Sequence, residues 1–155
     1  MKVYEKYKNT EIEWLDKIPE HWERTKLKFL SSFVNGYSFK SESYDKSGEF
    51  PVLTIANVQS YRLDMSEYNS VKFVPEDIRK EQILHKGDML ISMTGNVGRV
   101  CFVDIDNCLL NQRVGKIIVK EKVCKEFVFY VLSSSDFIKY FTINADGSAQ
   151  QNASK

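Results

Sequence analysis

The chain is predicted to be an α+β domain, with short strands through its middle and helices towards both ends. Three observations support this. Gly87 to Val103 holds two short apolar runs joined by a polar connection with Gly95 and Gly98, the pattern of paired strands around a turn. Other short apolar runs follow one another without regular strand–helix alternation, which disfavours a doubly wound sheet. Near the C-terminus Phe127, Tyr130, Val131, Ser134, Ile138 and Phe141 recur at helical spacing.

The elements are expected in this order. Residues 1–17 are polar and charged, broken by Val3, Tyr4, Tyr7, Ile12, Trp14 and Leu15, and are predicted to be an irregular arm whose aromatics dock on the body. Pro19 suits a first helical position, with Glu20 and Glu23 favourable near a helix N-terminus. Leu27, Leu30 and Phe33 continue that helix, and Asn35-Gly36 ends it. Tyr37 to Glu49 is a polar surface loop. Phe50 to Ala56 is a strand apolar enough to be buried on both faces, with Pro51 among its first residues. Val71 to Val74 is a second short strand. Pro75 opens a short helix through about Leu84, closed by His85-Lys86-Gly87. The hairpin follows, then a turn at Asp104 to Asn107, and strands at Leu109 to Val114 and Ile117 to Val119. The C-terminal helical segment is broken at Ser133 to Asp136, with Ser135 as a cap. Asn144 to Lys155 is a small, polar tail. The expected units are an arm (1–17), a main domain (18–146) and a tail (147–155).

At 155 residues the chain can bury one core. Its net charge of +1 projects no global positive field. A modest basic segment runs through Arg99, Arg113, Lys116, Lys120, Lys122 and Lys125, opposed by Asp104, Asp106 and Glu121. It is compatible with a solvated face or with contacts to phosphate. The three cysteines form no CxxC pair, and no apolar run approaches the ~20 residues of a membrane span. A reduced, cytoplasmic setting is expected.

Catalytic chemistry finds little support. Gly95-Asn96-Val97-Gly98 lacks the Gly-Lys-Ser/Thr ending of a phosphate-binding loop. The cysteines have no histidine nearby in sequence, and the two histidines, His21 and His85, show no triad or metal-ligand spacing. No paired carboxylates stand out, and no cofactor is expected. What remains is a set of polar side chains at strand ends. Arg can pair bidentately with guanine, Asn and Gln with adenine, and Ser or Thr with several base edges. The clusters are Tyr37-Ser38-Phe39-Lys40, Asn57 with Gln59 and Arg62, Thr94 with Asn96 and Arg99, and Asn111-Gln112-Arg113.

Several motifs together resemble one family. Glu13-Trp14-Leu15-Asp16-Lys17-Ile18-Pro19-Glu20-His21-Trp22-Glu23 resembles the start of type I restriction-modification specificity subunits. Gly87-Asp88-Met89-Leu90-Ile91-Ser92 with Gly95, Gly98 and Asn111-Gln112, and the ending Gly147-Ser148-Ala149-Gln150-Gln151-Asn152, resemble the target recognition domain of that family. The order and spacing of these fragments carry the resemblance across nearly the whole chain.

The resemblance implies a compact mixed β-sheet or partly open barrel-like recognition domain. It implies a non-catalytic role: reading one half of a split duplex DNA sequence, and so directing methylation and restriction. Methyltransferase subunits, which use S-adenosylmethionine, and translocating restriction subunits are the implied partners, and self-association is left open. The family carries two such domains and long spacer helices, whereas this chain carries one domain, as a truncated gene product or swappable cassette would. The residues expected to contact DNA are Thr94, Asn96, Arg99, Gln112 and Arg113, followed by Tyr37, Lys40 and Lys116. The rival expectation is a non-catalytic interaction module, docking on a methyltransferase subunit through its aromatic arm and Phe/Tyr-rich end helices.

Overall fold

The computed structural model describes residues 4–13 and 15–152, with side chains described only as far as Ile143. Two four-stranded sheets form its centre. The first runs in the order β10 (Val100–Phe102), β9 (Met89–Ser92), β12 (Val114–Val119), β3 (Ser31–Asn35), all antiparallel. The second runs β7 (Asn69–Val71), β4 (Phe50–Leu53), β11 (Cys108–Leu110), β8 (Ile83–Leu84), with β4 and β11 parallel. Two small hairpins accompany them: β1 (Tyr7–Ile12) with β2 (Leu15–Pro19), and β5 (Val58–Gln59) with β6 (Arg62–Leu63). The helices are a single turn, α1 (Leu27–Leu30), and the pair α2 (Lys125–Leu132) and α3 (Ser135–Asn152). The architecture is α+β, as the sequence predicts, and the sheets do not close into a barrel.

The core lies in layers. Val34, Leu90, Cys101 and Val114 of the first sheet face Leu53, Leu84, Cys108 and Leu110 of the second. The far side of the first sheet, with Met89, Ile91, Val100 and Ile117, packs on Val128, Phe129 and Leu132 of α2. The far side of the second, with Val52, Val71 and Leu109, is covered by Phe39. Neighbouring residues of β4 and β11 thus point into different layers, and Val52, Leu53, Leu109 and Leu110 are all 0% exposed. That is why both strands are apolar throughout.

Several expectations are corrected. The arm is not irregular: its residues form the β1–β2 hairpin, with a bulge between Asn9 and Ile12. Its expected docking holds in part through Tyr4, whose ring lies 6.0 Å from that of Trp22, which in turn meets Phe127 of α2 edge-on at 5.5 Å. Val3 and Trp14 lie outside the described residues. Pro19 ends β2 and opens no helix. After the single turn of α1 the chain becomes the edge strand β3, which pairs with β12 from Asn35–Gly115 to Ser31–Val119. Pairing along a formed sheet overrides the weak helical spacing of Leu27, Leu30 and Phe33.

The helix expected over 75–84 is only a 3-10 turn at Lys80–Gln82 before β8. Gln82 accounts for this, since its Oε1 accepts from Arg79 N at 3.0 Å and its Nε2 donates to Asn35 O at 2.9 Å. The strand expected at Val71 to Val74 is displaced to Asn69–Val71. The C-terminal break is real, but Ser134, not Ser135, is the cap: its Oγ accepts from Phe137 N at 3.3 Å. Helix α3 continues through Asn152, over most of the expected tail; 153–155 lie outside the described residues.

Candidate nucleic-acid interface

The hairpin expected at Gly87 to Val103 forms as β9 and β10, paired from Ile91–Val100 to Met89–Phe102. Its connection, residues 93–99, projects beyond the sheet and is held by backbone and hydroxyl groups. Ser92 N donates to Arg99 O at 3.0 Å and Gly98 N to Ser92 O at 2.9 Å. Ser92 Oγ accepts from Arg99 N at 3.0 Å and donates to Asn96 O. Gly95 and Gly98 adopt φ of +68° and +84°, which an L side chain disfavours. Their role is conformational: they let a short connection reverse direction.

Two further loops meet this turn. Met93 N donates to Arg113 O at 3.1 Å, joining it to the 111–113 loop. Asn111 N donates to Leu53 O at 3.1 Å and Gln112 N to Tyr37 O at 3.0 Å, so Tyr37 lies in the same group. On the other side a Cβ at Gly95 would lie 3.3 Å from Ile55 Cδ1. Arg99 Nη1 donates to Gln59 Oε1 at 2.6 Å. With the amide of Asn96 oriented to satisfy both groups, its Oδ1 accepts from Arg99 Nη2 at 2.9 Å and Nη1 at 3.3 Å. Three loops distant in sequence therefore converge on one rim. Thr94, Asn96, Gln112 and Arg113 are exposed there, and Arg99 is half-buried.

The remaining expected residues divide. Tyr37 joins the rim through its backbone, but its hydroxyl donates to Asp77 Oδ1 at 2.8 Å, and that carboxylate holds the phenol above its ordinary pKa. Lys40 is exposed on the loop that follows. Lys116 is a correction. It is 8% exposed, and its Nζ donates to Asp88 Oδ2 at 2.7 Å inside the fold, so its charge is neutralised there. Lys125 of the basic segment likewise turns inward, donating to Gly87 O and lying 5.4 Å from the Phe102 ring centroid. Two of the six cations of the sequence's apparent basic stripe thus turn inward, and the stripe is not a continuous face.

Asn57 is also structural. At 1% exposure, its Oδ1 accepts from Thr54 N at 3.0 Å, and its Nδ2 donates to Asp64 O at 2.9 Å and Glu67 O at 2.8 Å. Gln59 belongs beside Arg99, although the sequence separates them by 40 positions. Its place among polar residues after a strand was the only local signal. Among the described residues, no group of three or more His, Cys, Asp or Glu could hold a metal ion. No helix among them is long and apolar enough to cross a membrane.

Comparison with known proteins agrees with this architecture. Residues 19–155 match the family model described as the type I restriction modification DNA specificity domain. The chain is 33% identical over 146 residues to the type I restriction enzyme MjaVIII specificity subunit of Methanocaldococcus jannaschii, covering 88% of this chain and 33% of that protein. It is 30% identical over 145 residues to the EcoAI specificity subunit of Escherichia coli, covering 87% of this chain and 23% of that one. The chain therefore spans a third or less of the length of these relatives. The fold resembles the crystal structure of the HsdS subunit from Thermoanaerobacter tengcongensis, with a TM-score of 0.58 at 14% identity over 88% of this chain and 39% of that one. With a family match over residues 19–155, the chain belongs to the type I restriction-modification DNA specificity domains.

Proposed function

We propose that this chain reads one half-site of a bipartite DNA sequence for a type I restriction-modification complex. It has no catalytic part of its own; its role is to direct methylation and restriction to that sequence. The observation that carries this reading is the convergence of three loops on one rim, bearing Thr94, Asn96, Arg99, Gln112 and Arg113. Polar side chains on loops fixed by a rigid sheet suit base edges in the major groove, where each base pair shows a distinct donor–acceptor pattern. Tyr37 and Lys40 are candidates for flanking backbone contacts. Duplex DNA, methyltransferase and restriction subunits, and a cytoplasmic setting belong to the same proposal.

The test is DNA methylation by the protein assembled with its methyltransferase subunits, comparing Arg99→Ala and Gln112→Ala with the parent. Each lost bidentate contact is expected to lower cognate-site methylation by about tenfold, in line with ~1–3 kcal/mol per pair. Unchanged rates and unchanged sequence choice in both variants would overturn the assignment.

A second reading, an interaction module, is favoured by the exposed aromatics Phe127 and Tyr130 on α2. It is compatible with DNA reading, since these residues lie on a helix and not on the rim.

A further inference from the structure

We propose that Gln59 is a positioning residue that fixes Arg99 for bidentate recognition of a guanine. This rests on the DNA-reading function proposed above, and it adds a base class and a residue outside the set expected to contact DNA.

The orientation of Gln59 is itself determined. Its Nε2 donates to Ala56 O at 2.8 Å, which turns Oε1 towards Arg99. Arg99 Nη1 donates to that oxygen at 2.6 Å. From the other side, Asn96 Oδ1 receives Nη2 at 2.9 Å and Nη1 at 3.3 Å. A guanidinium carries five N–H donors in one plane. Gln59 and Asn96 together engage both hydrogens of Nη1 and the inner hydrogen of Nη2. The Nε–H and the outer Nη2–H remain. They run parallel along one edge of the fork, and no hydrogen bond from either to a protein acceptor occurs among the described residues.

Such an edge matches the O6 and N7 acceptors of guanine in the major groove. A phosphate could accept the same pair, but contact with the repeating backbone does not require a braced fork. Here the fork is held from two sides, by Asn96 of its own loop and by Gln59 at the end of β5. Bracing removes the ordering cost that a free arginine would meet on binding, and it fixes which base the edge can reach.

The experiment is selection of bound duplexes from a randomised library by the 155-residue chain at low salt, followed by sequencing and salt titration of the selected site. The parent is expected to enrich a guanine at one position. Arg99→Ala and Arg99→Lys flatten preference at that position by between about fivefold and a hundredfold, since lysine offers no fork. Gln59→Ala flattens the same position partly, with an unchanged salt slope. Gln59→Glu gives up the Nε2 bond to Ala56 O but keeps a carboxylate oxygen for Nη1, drawn there by the guanidinium charge, and retains most of the preference.

If Gln59→Ala leaves every base preference intact while Arg99→Ala flattens one, the positioning role is overturned. Equal loss in Gln59→Ala and Gln59→Glu also overturns it, because the side chain then acts through loop packing. If Arg99→Ala weakens all sequences alike and lowers the salt slope by about one, Arg99 holds a phosphate and the guanine assignment fails. If the parent enriches no sequence, the DNA-reading function itself falls.

Discussion

Asp88 has two partners inside the fold. One carboxylate oxygen accepts from His85 N at 2.9 Å and from Lys116 Nζ at 2.7 Å, with the Lys116 side chain 10% exposed. The pair joins the start of β9 to the middle of β12. Removing one partner of a buried pair leaves the other charge uncompensated, which costs more than the pair itself contributes. Asp88→Ala is therefore expected to destabilise the protein by about 3 kcal/mol. The measurement is a lower urea midpoint at an unchanged m-value. A shift under half of that would mean that Lys116 finds water or another acceptor. The contrast with Arg99 is instructive. Both residues are cations in or beside strands of one sheet, and both were expected at the DNA surface. One neutralises an internal carboxylate, while the other is braced by neutral amides and keeps its charge at the rim.

At the scale of elements, the β9–β10 hairpin was legible because its information is local: two apolar runs, a polar connection and two glycines. Gly98 has a second constraint. It lies against α3, where an added Cβ would sit 3.5 Å from Ile138 and 3.6 Å from Phe141, in ordinary contact. Space is thus adequate, and the penalty of Gly98→Ala comes from the backbone φ of +84°. The expected loss is about 1–2 kcal/mol, read as a lower melting temperature. Gly98→Asn, which tolerates left-handed backbone better, should lose less on backbone grounds. Segments 19–35 and 75–84 were misread for the opposite reason. Phe33 has helical spacing from Leu30, but β3 becomes a strand because β12 offers it a full row of partners. Gln82 falls inside the helix expected over 75–84; its amide instead ties the 3-10 turn to the end of β3. Neither outcome is encoded within a few residues of the site.

Across the whole molecule, Cys101 and Cys108 report on the integrity of the layer between the sheets. Both are 0% exposed, and loss of hydration pushes each thiol up to about 12. At neutral pH they are protonated and enclosed, so neither supplies the reactive thiolate. Cys124 is exposed at the start of α2. A thiol reagent is expected to titrate one group in native protein and the other two together with global unfolding. Reaction of Cys101 or Cys108 before the unfolding transition would show that the sheets separate locally.

The sequence by itself determined the family through the order of its motifs, the α+β class, the central hairpin and the apolar strands buried on both faces. The class, the hairpin and the apolar strands follow from composition and short-range pattern, whereas the family rests on the resemblance of motifs spread along the chain. Only the tertiary structure decided which polar residues face outward. Asn57 and Lys116 turned inward because buried backbone and carboxylate groups require partners, and Gln59 reached Arg99 because the folded loops place them side by side. Whether a polar side chain is a reader or a brace depends on what lies across from it, and that neighbour is set by strand pairing between distant segments.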